Sequence, residues 1–195
     1  MNKVIFSIFL LVGLSIIFSC HLQHDKEIDC KQNFKAARDL AYKNPNDISA
    51  LESALNIVNS SMQCDSIKVA VVELKIRLLL TLGKYVQGSK FVDSLQLSDF
   101  KYAYKKALNH DNFIALDFAS KGDTISRDKV YFKMAADLED YILKNDLKSE
   151  EFQEAFTEFS SFQNTPSDSL KLLSLIDLLK NKYPDKEQFL NFYKH

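Results

Sequence analysis

The chain has 195 residues, 46% of them hydrophobic, with 25 basic and 26 acidic side chains and a net charge of −1. So even a balance, with no basic stripe to track phosphates, gives no reason to expect nucleic acid, and the apolar fraction argues against wholesale disorder. Four Gly and three Pro are too few turn and bulge signals for a β-rich fold.

The chain opens MNKVIFSIFLLVGLSIIFSC. Lys3 supplies a short positive start, and the apolar run from Val4 to Phe18 is interrupted only by Ser7, Gly13 and Ser15. A helix crossing a bilayer needs about 20 apolar residues, so this run is short for a permanent span and suits the h-region of a secretory signal. It ends at Ile17-Phe18-Ser19-Cys20, and the next segment, HLQHDKEIDC, is strongly polar.

That junction resembles the lipobox of bacterial lipoproteins, with aliphatic Ile17 three before the cysteine and small Ser19 directly before it; Phe18 stands where a smaller residue is usual. The resemblance implies a diacylglyceryl group on Cys20, cleavage before it and acylation of the new amino group. Several buried acyl chains hold a protein stably at a membrane where one holds it only marginally. An ordinary secretory signal with a coincidental cysteine, or an uncleaved anchor, is the alternative. His21 rather than Asp after the cysteine is consistent, by analogy, with sorting to the outer membrane. The expected organisation is a signal peptide over 1–19, the lipidated Cys20 with a tether over 20–29, and one all-helical domain over 30–195. Removing 19 of 195 residues leaves 176, the size of one domain, with 24 basic against 26 acidic side chains.

Asp29 reads as the N-cap of a first helix over 30–43, with Phe34, Ala37, Leu40 and Ala41 on one face. Asn44-Pro45-Asn46-Asp47 stops it and starts a second helix to Ser60, carrying Ile48, Leu51, Leu55 and Val58. A third, over 65–82, is apolar on almost every side and therefore central; Lys68, Glu73, Lys75 and Arg77 within it argue against a membrane span. Further helices are expected over 85–95, 99–108, 111–120, 126–144, 149–162, 167–181 and 185–193. Cap candidates precede several of them, notably Asp123-Thr124-Ile125-Ser126 and Thr165-Pro166-Ser167-Asp168. With Cys20 lipidated, Cys30 and Cys64 remain. They open the first and third helices, which start at the same end of an up-down-up arrangement, so a bridge between them is geometrically reasonable; two free thiols are the alternative.

Leu82-Gly83-Lys84-Tyr85, followed by Gly88, Val92 and Leu95, resembles the turn and second helix of a tetratricopeptide unit. The resemblance implies that Gly83 and Tyr85 join a helical hairpin and that Gly88, in the place usually held by Ala, lets its helices approach closely. Asn44-Pro45-Asn46-Asp47 and Tyr183-Pro184-Asp185 resemble the proline-marked boundary between units. The family's period of about 34 residues does not fit, because Gly83 lies 38 residues after Pro45. The expected fold class is all-α, either a degenerate tetratricopeptide-like solenoid or an irregular helical bundle.

No catalytic constellation is evident, and no cofactor or metal is expected. His21, His24 and Asp25 form an H-x-x-H-D cluster, but in a tether nothing fixes their geometry as ligands. His110 and Asp111, read as a helix junction, suggest a base and its orienter, but no nucleophile or third partner is adjacent in sequence. Asp137, Glu139, Asp140, Glu150, Glu151, Glu154 and Glu158 read as solvated faces of amphipathic helices. The late aromatics Phe152, Phe156, Phe159, Phe162, Phe189 and Phe192 read as core, and the stripe Tyr183, Phe189, Phe192 and Tyr193, if exposed, as a docking surface or cover for the last hairpin. Asp65-Ser66-Ile67, Asp93-Ser94-Leu95, Asp123-Thr124-Ile125 and Asp168-Ser169-Leu170 resemble a three-residue O-glycosylation motif of exported bacterial proteins, implying glycans on Ser66, Ser94, Thr124 and Ser169. Asp-Ser and Asp-Thr are equally ordinary helix-start residues.

The expectation for function is a membrane-anchored, non-catalytic protein-interaction module of the cell envelope. Its partners would be the membrane, through Cys20, and a protein or peptide, with no role for nucleic acid. The alternative is an immunity or inhibitor lipoprotein that neutralises a toxin in the periplasm.

Overall fold

A computed structural model describes residues 27–162 and 166–193. Within them the chain is all-α, built of α-helices and short 3-10 turns with no strand. It divides into two compact units, Met1–Lys84 and Tyr85–His195, where the sequence reading expects a single domain over 30–195. The division falls directly after the turn that ends the third helix.

In the first unit, α1 covers 27–43, α2 Ile48–Ser60 and α3 Lys68–Thr81, with 3-10 turns Ser61–Gln63 and Asp65–Ile67 leading into α3. The helix is already formed at Glu27, so Asp29 lies inside α1 instead of capping it, and the expected tether over 20–29 loses its last three residues to the helix. Two contacts of Glu27, one within the helix and one from a residue distant in sequence, hold this first turn. Glu27 pairs with Lys31 one turn on at 3.2 Å, and its carboxylate accepts from the Ser66 hydroxyl. Asp47 caps α2 by accepting from the Ala50 N–H at 3.2 Å. Leu51, Ala54, Leu55 and Val58 are buried along α2, which packs on α3. In α3 the buried positions Val71, Val72, Leu74, Ile76, Leu78 and Leu79 point in several directions, as its all-round apolar sequence requires.

Helix α3 ends in a Schellman motif. Gly83 adopts a φ of 66°, its N–H bonds to the Leu80 carbonyl at 3.1 Å, and the Lys84 N–H reaches back to Leu79 at 2.9 Å. The same device recurs after α5: Gly122 has a φ of 78°, its N–H bonds Ala119 and the Asp123 N–H bonds Phe118, both at 3.0 Å.

The second unit holds α4 (Tyr85–Asp93), a 3-10 turn Leu97–Asp99, α5 (Tyr104–Ser120), α6 (Thr124–Lys144) and α7 (Ser149–Ser161), followed by α8 (Pro166–Lys182), a 3-10 turn Pro184–Lys186 and α9 (Glu187–Phe192). Helix α5 packs on α4 and on α6, and α6 in turn on α7. The two helices expected over 99–108 and 111–120 are one. No Gly or Pro interrupts 104–120, and the Asn109 side chain donates back to the Lys105 carbonyl at 2.8 Å without breaking the helix. His110 and Asp111 therefore stand in mid-helix, not at a junction.

Leu138, Ile142, Phe152, Phe156, Ile176, Leu179 and Leu190 centre the core of this unit. Phe189 and Tyr193 of the C-terminal turn set their rings edge-on against Phe156, with centroids 5.8 and 5.1 Å away, contacts worth about 0.5–1.5 kcal/mol each beyond their buried area. The late aromatics thus cover the core, except Phe192, which is 78% exposed. At the other end of α8 the Tyr183 hydroxyl donates to the Asn145 carbonyl at 2.6 Å, and the Lys182 ammonium donates to the Leu143 and Asn145 carbonyls at 2.6 and 2.7 Å. Leu143 is in the last turn of α6 and Asn145 is its C-cap, so the cation also meets the negative end of the helix dipole.

Gly88 of α4 is buried, and a Cβ built on it would overlap the ring of Phe113, itself fully buried in α5. Nothing lies within 4 Å of a Cβ at Gly122, where the backbone sign alone favours glycine. In urea denaturation Gly88→Ala is expected to destabilise by about 1–3 kcal/mol despite the better helix propensity of alanine. Gly122→Asn should cost under about 1 kcal/mol, because asparagine tolerates the left-handed region. Equal costs at the two sites would contradict the close approach of α4 and α5.

Candidate functional site

Helices α5 and α6 form a hairpin, and one face of it is a groove of about 340 Å³. Each helix contributes a stripe at helical spacing: Tyr104, Ala107, Leu108 and Asp111 from α5, and Met134, Asp137, Leu138 and Tyr141 from α6. Tyr104, Met134 and Leu138 are buried and make the floor, with the Tyr104 and Tyr141 rings 5.0 Å apart. Ala107 is exposed, and its short side chain leaves the space that the groove occupies. Asp140, Lys144 and Asn145 continue the lining toward the end of α6.

Charge gathers at the rim. The Lys133 ammonium donates to Asp111 and to Asp137, each at 2.7 Å, and Lys144 donates to Asp140 at 2.6 Å. Hydrogen bonds to Asp111 and then to Asp137 hold the Lys133 ammonium above the usual lysine range. Asp111 also lies 3.1 Å from Nδ1 of His110, whose Nε2 is 3.4 Å from Asp93. Both imidazole nitrogens thus face carboxylates, and of the His110–Asp111 pair Asp111 lines the groove. The Tyr141 hydroxyl leaves the groove to donate to Glu151 at 2.6 Å, and burial followed by that bond pushes the phenol up to about 12.

Behind the groove, α5 and the residues just before it are held to α7 by a ladder of ion pairs. Lys101 reaches Glu150 at 2.8 Å and Glu154 at 3.1 Å; Lys105, 17% exposed, reaches Glu154 at 2.7 Å and bonds Glu158. One half-buried ammonium serves two carboxylates, and their environments part them. Burial pushes Glu154 up, but its bonds to Lys105 and Lys101 outweigh this and hold it below the usual carboxylate range. Burial pushes Glu158 up and prevails over its bond to Lys105, and its second oxygen is buried without a hydrogen-bond partner. Burial pulls Lys105 down, and the two glutamates more than reverse that. The expectation that Glu150, Glu151, Glu154 and Glu158 form a solvated face is therefore corrected for Glu158. The sequence shows its i, i+4 spacing but not what lies opposite.

The remaining sequence candidates fall as follows. Cys30 and Cys64 are joined as a disulfide with their Cα atoms 6.0 Å apart, within the range a bridge requires. Gly83 and Leu82 belong to the turn after α3, Tyr85 opens α4, and Gly88 faces Phe113 of the following helix. Ser66 is engaged by Glu27, the exposed Ser94 donates to the Phe91 carbonyl at 2.7 Å, and Thr124 is the exposed first residue of α6. Ser169 lies in α8 with its side chain outside the described set. The lipobox, Cys20, His21, His24 and Asp25 lie outside the described residues. Among the described residues no group of three His, Cys, Asp or Glu could hold a metal ion, and no helix is long and apolar enough to cross a membrane. The groove itself went unread in the sequence. Its signal was the two stripes at i, i+3, i+4 and i+7, and the false break at Asn109-His110-Asp111 divided the first of them.

The raised Glu158 has a measurable consequence. A carboxyl held above its ordinary 4.5 contributes stability that is present below that pH and lost as pH rises through the folded value. Wild type should therefore lose stability relative to Glu158→Gln as pH is raised above 4.5, then hold a constant difference, in urea melts between pH 4 and 8. A difference that grows in favour of wild type over the same window would contradict this environment. Compared with protein-family models, curated proteins and solved structures, the chain matches none.

Proposed function

We propose that the protein is a bacterial lipoprotein, held in the cell envelope at the outer membrane by a lipid on Cys20, whose helical region is a non-catalytic protein-interaction module. The observation that carries this reading is the Cys30–Cys64 disulfide. The lipobox-like junction uses one of three cysteines, and the bridge uses the two that remain. Such bonds persist in exported proteins and are rare in a reducing cytosol. A bridge across 34 residues also stabilises by about 4 kcal/mol through the chain entropy it removes from the unfolded state.

The interaction half rests on the second unit. Packed helical hairpins present extended surfaces to peptides and proteins, and the α5–α6 groove joins an apolar floor to charged groups within reach of its mouth. Its carboxylates are paired with Lys133 and Lys144, the Tyr104 hydroxyl of its floor is buried without a partner, and the two nitrogens of His110 face the carboxylates of Asp111 and Asp93. Lipidation would confine this surface near the membrane and raise its effective concentration toward partners there.

Intact mass of the membrane fraction, beside a Cys20→Ser variant, tests the reading. A product beginning at Cys20 with a lipid-sized increment that the variant lacks is the expected result. A product beginning elsewhere, or carrying no lipid, would overturn the anchor.

A further inference from the structure

Apolar grooves between helices take the apolar side chains of other chains, and the groove on α5 and α6 carries three features that narrow its occupant. The first is shape. At 1.5 Å per residue, the stripe from Tyr104 to Asp111 runs about 10 Å and the lining from Met134 to Asn145 about 16 Å, which is two to three turns of a helix or a few extended residues. The second is the hollow over Ala107, exposed and small between larger neighbours, which leaves room for a large apolar side chain from outside.

The third feature is charge. Within the lining, Asp111, Asp137 and Asp140 face a single ammonium, Lys144. Lys133, just outside, answers two of the carboxylates, and Lys144 answers the third. Asp137, Asp140, Lys133 and Lys144 are all more than half exposed, so these pairs are easily exchanged for others. Three carboxylates against two ammonium groups leave the rim one acid in excess, which favours basic side chains over acidic ones.

From these three features we infer that the groove binds a short basic amphipathic segment of a partner protein. One or two large apolar side chains seat over Ala107 and against Leu108 and Met134, and flanking Lys or Arg side chains displace Lys133 and Lys144 from Asp137 and Asp140. The inference rests on the interaction-module reading and adds to it the site and the chemistry of the partner.

A random 12-residue peptide library displayed on phage, selected against the disulfide-bonded mature chain carrying Cys20→Ser, tests it. Enriched peptides are then synthesised and measured by fluorescence anisotropy against that chain and two variants, Ala107→Trp and Asp137→Lys/Asp140→Lys. All three positions are exposed, and circular dichroism checks that the variants fold. The expected peptides combine Lys or Arg with Phe, Leu or Trp. Ala107→Trp, which fills the hollow, should weaken them at least about tenfold, and the charge reversal should do likewise while flattening their salt dependence. No enrichment, enrichment of acidic peptides, or undiminished binding to both variants would overturn the inference.

A second arm separates this failure from that of the module reading. A photo-crosslinking residue is placed at Ala107 or, in the first unit, at exposed Tyr42 of the lipidated chain in membranes. A defined adduct from Tyr42 with none from Ala107 would sink the groove alone, and none from either would sink the module as well.

Discussion

Helix α5 runs for 17 residues without a break, and the second unit is arranged around that continuity. One side carries Phe113, on which Gly88 of α4 rests without a side chain between them. Another carries Lys105, which draws α7 inward through Glu154 and Glu158. A third, formed by Tyr104, Ala107, Leu108 and Asp111, becomes one wall of the groove. These residues keep their relative directions only because each stands at a fixed rotation of about 100° per residue from the last. A kink near His110 would turn Phe113 away from Gly88 and split the groove wall in the same stroke.

Burial and charge oppose one another along the ladder that runs from Lys101, just before α5, to Lys105 within it, and the balance changes from one to the other. At the exposed end of the ladder Lys101 is paired but solvated, where ion pairs contribute little. One turn on, Lys105 is largely buried and its two partners are indispensable to it, since a buried ammonium left unpaired is strongly destabilising. Glu158 bears the cost of the arrangement in its unpartnered oxygen. At the far end of α6 the solution is different: Lys182 and Tyr183 satisfy carbonyls that the helix terminus would otherwise leave unbonded.

Features set by a few neighbouring residues were legible in the sequence. Asp47 and Asp123 each cap the helix that follows, accepting from the N–H three residues on. Gly83 closes α3 at the expected turn, since a positive φ there favours a residue without a Cβ. The all-round apolar pattern of α3 marked a buried helix correctly. What failed needed knowledge of a partner distant in sequence. The run Asn109-His110-Asp111 reads as a break because it is polar, yet those side chains are taken up by Lys105, Asp93 and Lys133. Asp29 reads as a cap because nothing in its neighbourhood reveals that Ser66 and Cys64 lie across from the preceding turn. Glu158 reads as solvated because its burial depends on α5. The groove combines both difficulties, needing an unbroken α5 and the register of α6 beside it.

Backbone amide hydrogen exchange across residues 104–120 tests the continuity of α5 most directly. The amides of Asn109, His110, Asp111 and Asn112 should be protected to the same degree as Ala115 and Leu116 and open together with them. Rapid exchange confined to those four, with protection on either side, would show two helices meeting at His110 and would dismantle the groove.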